Sequence, residues 1–257
     1  MQRSWGALQV RFMSRSSASQ ESSDRTIAVL LSTMRSGSTL LKALLAQAPD
    51  ISDLPETDFQ PYADAAKRDR LEALSDERIL LLKRPGWFNE VGRYPRLPAH
   101  PNVKAIALVR DTYAFGLSAR RMVFRHVPFL QRSGLGNRFL VERYWRGVNQ
   151  RLLDLSRRDE MPTYLVRYED VLADPIGQTA AMFKFLGSDQ TDGVETYSRP
   201  EGYSWQWGKD DGGAVIKSLK VQPQRPIDYA DRKLFAAIKG SEATLQLRRE
   251  LGYPELP

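Results

Sequence analysis

The sequence predicts an α/β fold: a single domain with a central parallel sheet flanked by helices, opening on a P-loop-like strand-loop-helix unit. Three observations predict it. Short apolar runs rich in branched residues recur at 27–31, 79–82, 103–109 and 163–167, the pattern of strands buried on both faces. Stretches with helical spacing alternate with them. A polar or charged residue (Arg35, Lys83, Arg110 or Tyr168) follows each run, and such sheets bind ligands beyond the carboxyl ends of their strands.

The first run leads into Ser32-Thr33-Met34-Arg35-Ser36-Gly37-Ser38-Thr39, and apolar residues at 40, 41, 44, 45 and 48 then keep helical spacing. A strand turning through small residues into a helix gathers backbone N–H groups and the positive end of the helix dipole around one point. Arg35 adds a full charge there, and Ser36, Ser38 and Thr39 add hydroxyls. The plain alternative is an ordinary turn with Ser38 or Thr39 as helix cap. The loop is not the G-x-x-x-x-G-K-[ST] of ATPases, since no Lys follows Gly37.

Pro49 and Asp50 end the first helix, and Ile51 to Phe59 is a polar loop carrying Asp53, Glu56 and Asp58. Residues 62–78 are charged and helix-compatible. The second strand, 79–82, is expected to stop at Lys83-Arg84-Pro85-Gly86, with a helix from about Asn89. The third ends in Arg110-Asp111, and a helix runs from Tyr113 to Phe124. Residues 126–138 read as a loop, 139–157 as one long basic helix. Asp174-Pro175 opens a helix as cap and first-turn proline, ending at Gly187. A last helix spans about Asp231 to Leu251.

The chain has 257 residues and a net charge of +7, which suits an anionic ligand but is also the footprint of nucleic-acid binders. Cysteine is absent and only His100 and His126 are present. Disulfides and thiolate metal sites are excluded, and a histidine-based metal site or triad has little to draw on. No apolar run approaches the roughly 20 residues of a membrane helix, so no membrane partner is expected. Residues 1–25 are rich in Ser and Arg and are read as a disordered tail, with organelle targeting or a start at Met13 as alternatives. The domain is expected over 26–257, in the cytoplasm.

Arg35-Ser36-Gly37-Ser38-Thr39-Leu40-Leu41 resembles the 5′-phosphosulfate loop of sulfotransferases that use 3′-phosphoadenosine-5′-phosphosulfate (PAPS), in the style of the tyrosylprotein and bacterial branch. Ile106 to Asp111 followed by Ser118 resembles that family's 3′-phosphate motif, with Thr112 where Pro or Gly is usual. The resemblance implies that Arg35 to Leu40 hold the 5′ end of PAPS and that Arg110 and Ser118 hold its 3′-phosphate. Tyr168, in Arg167-Tyr168-Glu169-Asp170, would lie near the adenine. Ser218 and Lys220 would belong to a loop over the cofactor. Pro55-Glu56-Thr57 resembles the segment bearing the general base, and Lys83 the lysine that stabilises the leaving oxygen, work that Arg35 shares.

The implied reaction moves a sulfuryl group from PAPS to a hydroxyl or amine of a small-molecule acceptor, releasing adenosine 3′,5′-bisphosphate (PAP), and it requires no metal. Residues 60–78, 126–138 and the loop around Trp205 and Trp207 are expected to shape the acceptor pocket. One rival is a P-loop nucleotide phosphotransferase, which lacks its lysine here. Another is a non-enzymatic nucleic-acid binder, but no basic strand face interleaved with aromatics is evident. The acceptor's identity and the oligomeric state are not written in the sequence.

Overall fold

The computed structural model describes residues 25–52, 73, 75–95, 97, 102–198 and 216–257. Four strands, β1 (Thr26–Thr33), β2 (Ile79–Gly86), β3 (Val103–Val109) and β4 (Thr163–Arg167), form one parallel sheet in the order β2-β1-β3-β4. Alternate strand residues point to opposite faces, and each face has its own core. Val29, Leu31, Leu82, Ala107 and Val109 pack with Tyr144, Trp145, Val148 and Leu152. Leu30, Leu81, Ile106 and Leu108 pack with Leu40, Leu44, Met182 and Phe183. With both faces covered, the strands read as unbroken apolar runs. The expected fold class, an α/β domain with helices on both sides of a parallel sheet, is the one observed.

Among the described residues the helices are α1 (Ser38–Leu45), α2 (Thr112–Val123), α3 (Gly134–Arg138), α4 (Arg146–Ser156), α5 (Tyr168–Ala173), α6 (Pro175–Leu186), α7 (Arg232–Lys239) and α8 (Glu242–Glu250). Asp111 caps α2 through the amides of Tyr113 and Ala114, and Asp174 caps α6 through that of Gly177. Gly187, at φ 80°, closes α6 in the left-handed conformation.

Several boundaries differ from expectation. β2 runs on through Pro85 and Gly86, paired with Ser32 and Thr33. It is an edge strand, where a missing N–H is tolerated, so Lys83 lies within β2 rather than beyond it. The helix expected from Asn89 is a single 3-10 turn, Val91–Arg93. Residues 126–138, expected as loop, hold a 3-10 turn (Pro128–Arg132) and α3. The long basic helix begins as a π-helical segment, Phe139–Trp145, before α4. The last helix is two, broken at Gly240 and Ser241. Of residues 62–78, those described, 73 and 75–78, are not helical.

From β1 the chain goes outward to β2, then crosses to the other side for β3 and β4. That reversal opens a crevice beyond the carboxyl ends of β1 and β3, the place where sheets of this kind bind ligands.

Candidate active site

The loop after β1 is moored from beneath by two buried phenols. Tyr94 Oη accepts from the Ser32 amide at 2.8 Å and donates to the Arg84 carbonyl at 2.9 Å. Tyr144 Oη accepts from the Met34 amide at 2.8 Å and donates to the Gly86 carbonyl at 2.6 Å. Each phenol thus ties the loop to the end of β2, and burial pushes the ionisation of both well up. Within the loop, the Thr33 and Ser36 hydroxyls share a hydrogen bond.

Two residues of the loop are left-handed, Arg35 at φ 65° and Gly37 at φ 91°. The first is an uncommon backbone for arginine and the kind of strain found at ligand clamps. The second needs glycine for another reason as well: a Cβ there would sit 2.2 Å from the Tyr168 ring. Gly37 caps α1 without any side-chain hydrogen bond. The plain reading, with Ser38 or Thr39 as cap, is therefore set aside, and both residues lie inside the helix. The first-turn amides of α1 are left to face the crevice.

Arg35 and Arg110 meet in that crevice. Arg110 Nη1 donates to the Arg35 carbonyl at 2.7 Å, and its guanidinium lies 4.8 Å from the centre of the Tyr168 ring. Arg110 Nε is buried and has no acceptor among the described residues. Arg35 Nε donates to Ser118 Oγ at 3.1 Å, so Ser118 joins the first loop to α2. Lys83 Nζ donates to Thr39 Oγ1 at 2.9 Å, which brings the ammonium to the first turn of α1.

Two hollows adjoin here. One, of about 160 Å³, is lined by Arg35, Gly37, Ser38, Thr39, Leu40 and Lys220, among others. The second, of about 610 Å³, is lined by Glu169, Ser218, Pro223, Arg225 and Ile227, among others. Arg110, Tyr168, Leu172 and Gln222 face both. Lys220 also pairs with Glu195 at 3.1 Å. Ser218 Oγ donates to the Lys220 carbonyl at 3.0 Å. Ser36 is buried beneath the loop and faces neither hollow.

The structure therefore brings together Arg35, Gly37, Ser38, Thr39, Leu40, Lys83, Arg110, Ser118, Tyr168, Ser218 and Lys220. Glu56 lies outside the described residues, as do Asp53, Asp58, Trp205 and Trp207. Arg120 is taken by Asp231, and Arg121 and Arg125 are exposed. Sequence reasoning missed Tyr94, Tyr144 and Trp145, whose indole donates to the Arg110 carbonyl at 2.8 Å. It also missed Glu169, Arg225 and Arg248. Of these, only Glu169 carried a local signal, its place beside Tyr168.

Residues 70–192 match the model of the sulfotransferase family. This segment is similar in sequence to that family. Three solved sulfotransferases share the fold over nearly the whole of both chains. The sulfotransferase domain from the curacin biosynthetic pathway has a TM-score of 0.59 and 21% identity, covering 91% of this chain and 99% of its own. The corresponding domain of the Synechococcus PCC 7002 olefin synthase gives 0.58 and 22%, covering 91% and 96%. The sulfotransferase from Alicyclobacillus acidocaldarius gives 0.56 and 14%, covering 90% and 97%. No curated protein sequence matches the chain. The resemblance to sulfotransferases drawn from the sequence is borne out. Among the described residues, no helix is long and apolar enough to cross a membrane.

Proposed function

We propose that residues 26–257 form one domain that transfers a sulfuryl group from PAPS to a hydroxyl or amine of a small-molecule acceptor. One observation carries the reading: two guanidinium groups, from the tips of adjacent strands, share a crevice whose two hollows meet at Arg110 and Tyr168. A nucleotide with an anion at each end suits that arrangement. The donor set also fits. Arg110 Nε is a buried donor lacking an acceptor among the described residues, and a phosphate oxygen is the acceptor such a group needs.

In this reading Arg35, Ser38, Thr39 and the first-turn amides of α1 hold the phosphosulfate end. Arg110 holds the 3′-phosphate together with Ser118, and Tyr168 lies against the nucleoside. Ser218 and Lys220 close over it. Glu56 accepts the proton of the acceptor as the acceptor's oxygen or nitrogen bonds to sulfur. The bond from sulfur to the bridging oxygen breaks, and the charge left on the 5′-phosphate is stabilised by Lys83 and Arg35.

The test is calorimetric titration with PAP in the absence of Mg²⁺, followed by mass spectrometry for sulfated products from PAPS and candidate hydroxyl or amine metabolites. Glu56→Gln is expected to keep PAP affinity and lose turnover. Full turnover in that variant removes Glu56 as base. Binding of ATP with Mg²⁺ and not of PAP favours a phosphotransferase.

A further inference from the structure

Arg110 is aimed from behind by a group of residues that the transfer reaction does not use. The peptide between Arg110 and Asp111 has both its polar edges occupied by side chains. Its carbonyl accepts from Trp145 Nε1 at 2.8 Å, and its N–H donates to Glu169 Oε1 at 3.0 Å. Glu169 Oε2 accepts in turn from Tyr253 Oη at 3.1 Å.

The Asp111 carboxylate is held just as fully. One oxygen accepts from the Tyr113 and Ala114 amides at 2.9 Å each, and the other faces Arg248 Nη1 at 2.5 Å. Arg248 belongs to α8 and is only 2% exposed. Its Nη2 donates to the Pro254 carbonyl at 2.9 Å, folding the tail back so that the Tyr253 ring lies 5.5 Å from its guanidinium.

A buried ion pair is weak grounds for stability, because desolvation offsets the attraction. What this pair does supply is geometry. It fixes the rotamer of Asp111, while Glu169 and Trp145 fix the plane of the peptide from which the Arg110 side chain departs. We propose that Arg248, acting through Asp111 and supported by Tyr253 and Glu169, is a positioning residue for Arg110. The C-terminal segment thereby sets the affinity for the 3′-phosphate end of the nucleotide. This rests on the PAPS reading above.

The experiment is a double-mutant cycle on PAP binding, measured by calorimetry on the full chain. Arg248→Met is expected to weaken PAP binding about tenfold, in the range seen for residues that act on a site through others. Placed on Arg110→Ala, the same change is expected to alter affinity by less than about twofold, since the group it positions is gone. Arg248→Lys, which keeps a cation facing Asp111, is expected to recover part of the loss. An equal loss in both backgrounds, or no loss in either, overturns the inference and leaves the PAPS reading intact. Failure of the unmutated chain to bind PAP overturns both. Should Arg248→Met not fold, Tyr253→Phe removes a single hydroxyl, and about a threefold loss confined to the Arg110 background is expected. Its absence there also overturns the inference.

Discussion

Two arginines at opposite ends of the sheet show how the same side chain serves different ends. Arg78 precedes β2, and its Nη2 reaches Asp50 at 2.7 Å, Asp189 at 2.9 Å and the Gly187 carbonyl at 2.8 Å. Burial pushes the Asp50 carboxyl up, but hydrogen bonds from Ser188, the Asp189 amide and Arg78 outweigh it and hold the group below its ordinary value. That knot ties the loop after α1 to the end of α6. Arg110 follows β3 and is held by a carbonyl and an aromatic face; among the described residues no carboxylate forms a salt bridge with it, although Glu169 lies near enough to feel its charge. A cation neutralised by acids is mortar. One whose direct contacts are neutral keeps most of its charge for something that arrives later.

The comparison can be broken or sharpened by substitution. The largest effect is expected from Gly37→Ala, which combines a left-handed backbone with a Cβ driven into the Tyr168 ring. It should cost about 3 kcal/mol of stability, read by chemical denaturation, and abolish PAP binding. Next comes Arg110→Ala, expected to weaken PAP binding about a hundredfold by removing charge-assisted bonds. Arg78→Ala, by contrast, should leave PAP affinity unchanged and lower stability by about 1 kcal/mol, because the pair is partly exposed. Equal effects of the two on PAP binding would erase the distinction.

The smallest effect concerns Glu169, whose carboxyl is raised by burial against an opposing hydrogen bond from the Asp111 amide. The folded chain then holds this proton to higher pH than the unfolded chain does. Stability should therefore fall as pH rises from the ordinary glutamate value of 4.5 through the raised one. Denaturation midpoints measured across that window should show a shallower slope in Glu169→Gln.

Much of the fold and half of the crevice were legible because they are local. In β1, its loop and α1, and again in β3, Arg110 and Ser118, strand, turn and helix follow within about two dozen residues. Apolar runs and turn residues report such units directly. The parts that escaped are made by distant partners. Pro85 sits inside β2 because β2 is an edge, which only the assembled sheet reveals. Tyr94 and Tyr144 hold the first loop from 62 and 110 residues away. Arg248 reaches Asp111 across 137 residues. No periodicity marks such a pairing. The break at Gly240 and Ser241 was visible as composition, yet the amphipathic spacing ran through it and masked it.

Arg110, Tyr168, Leu172 and Gln222 form a party wall between the two hollows. Whatever settles on one side leans on the same four side chains as whatever settles on the other. Two short molecules, one per side, would contend for that wall without ever overlapping, whereas one long molecule lying across it has no rival. The architecture therefore rewards reach over bulk, and inhibitors grown outward from either side gain most by crossing.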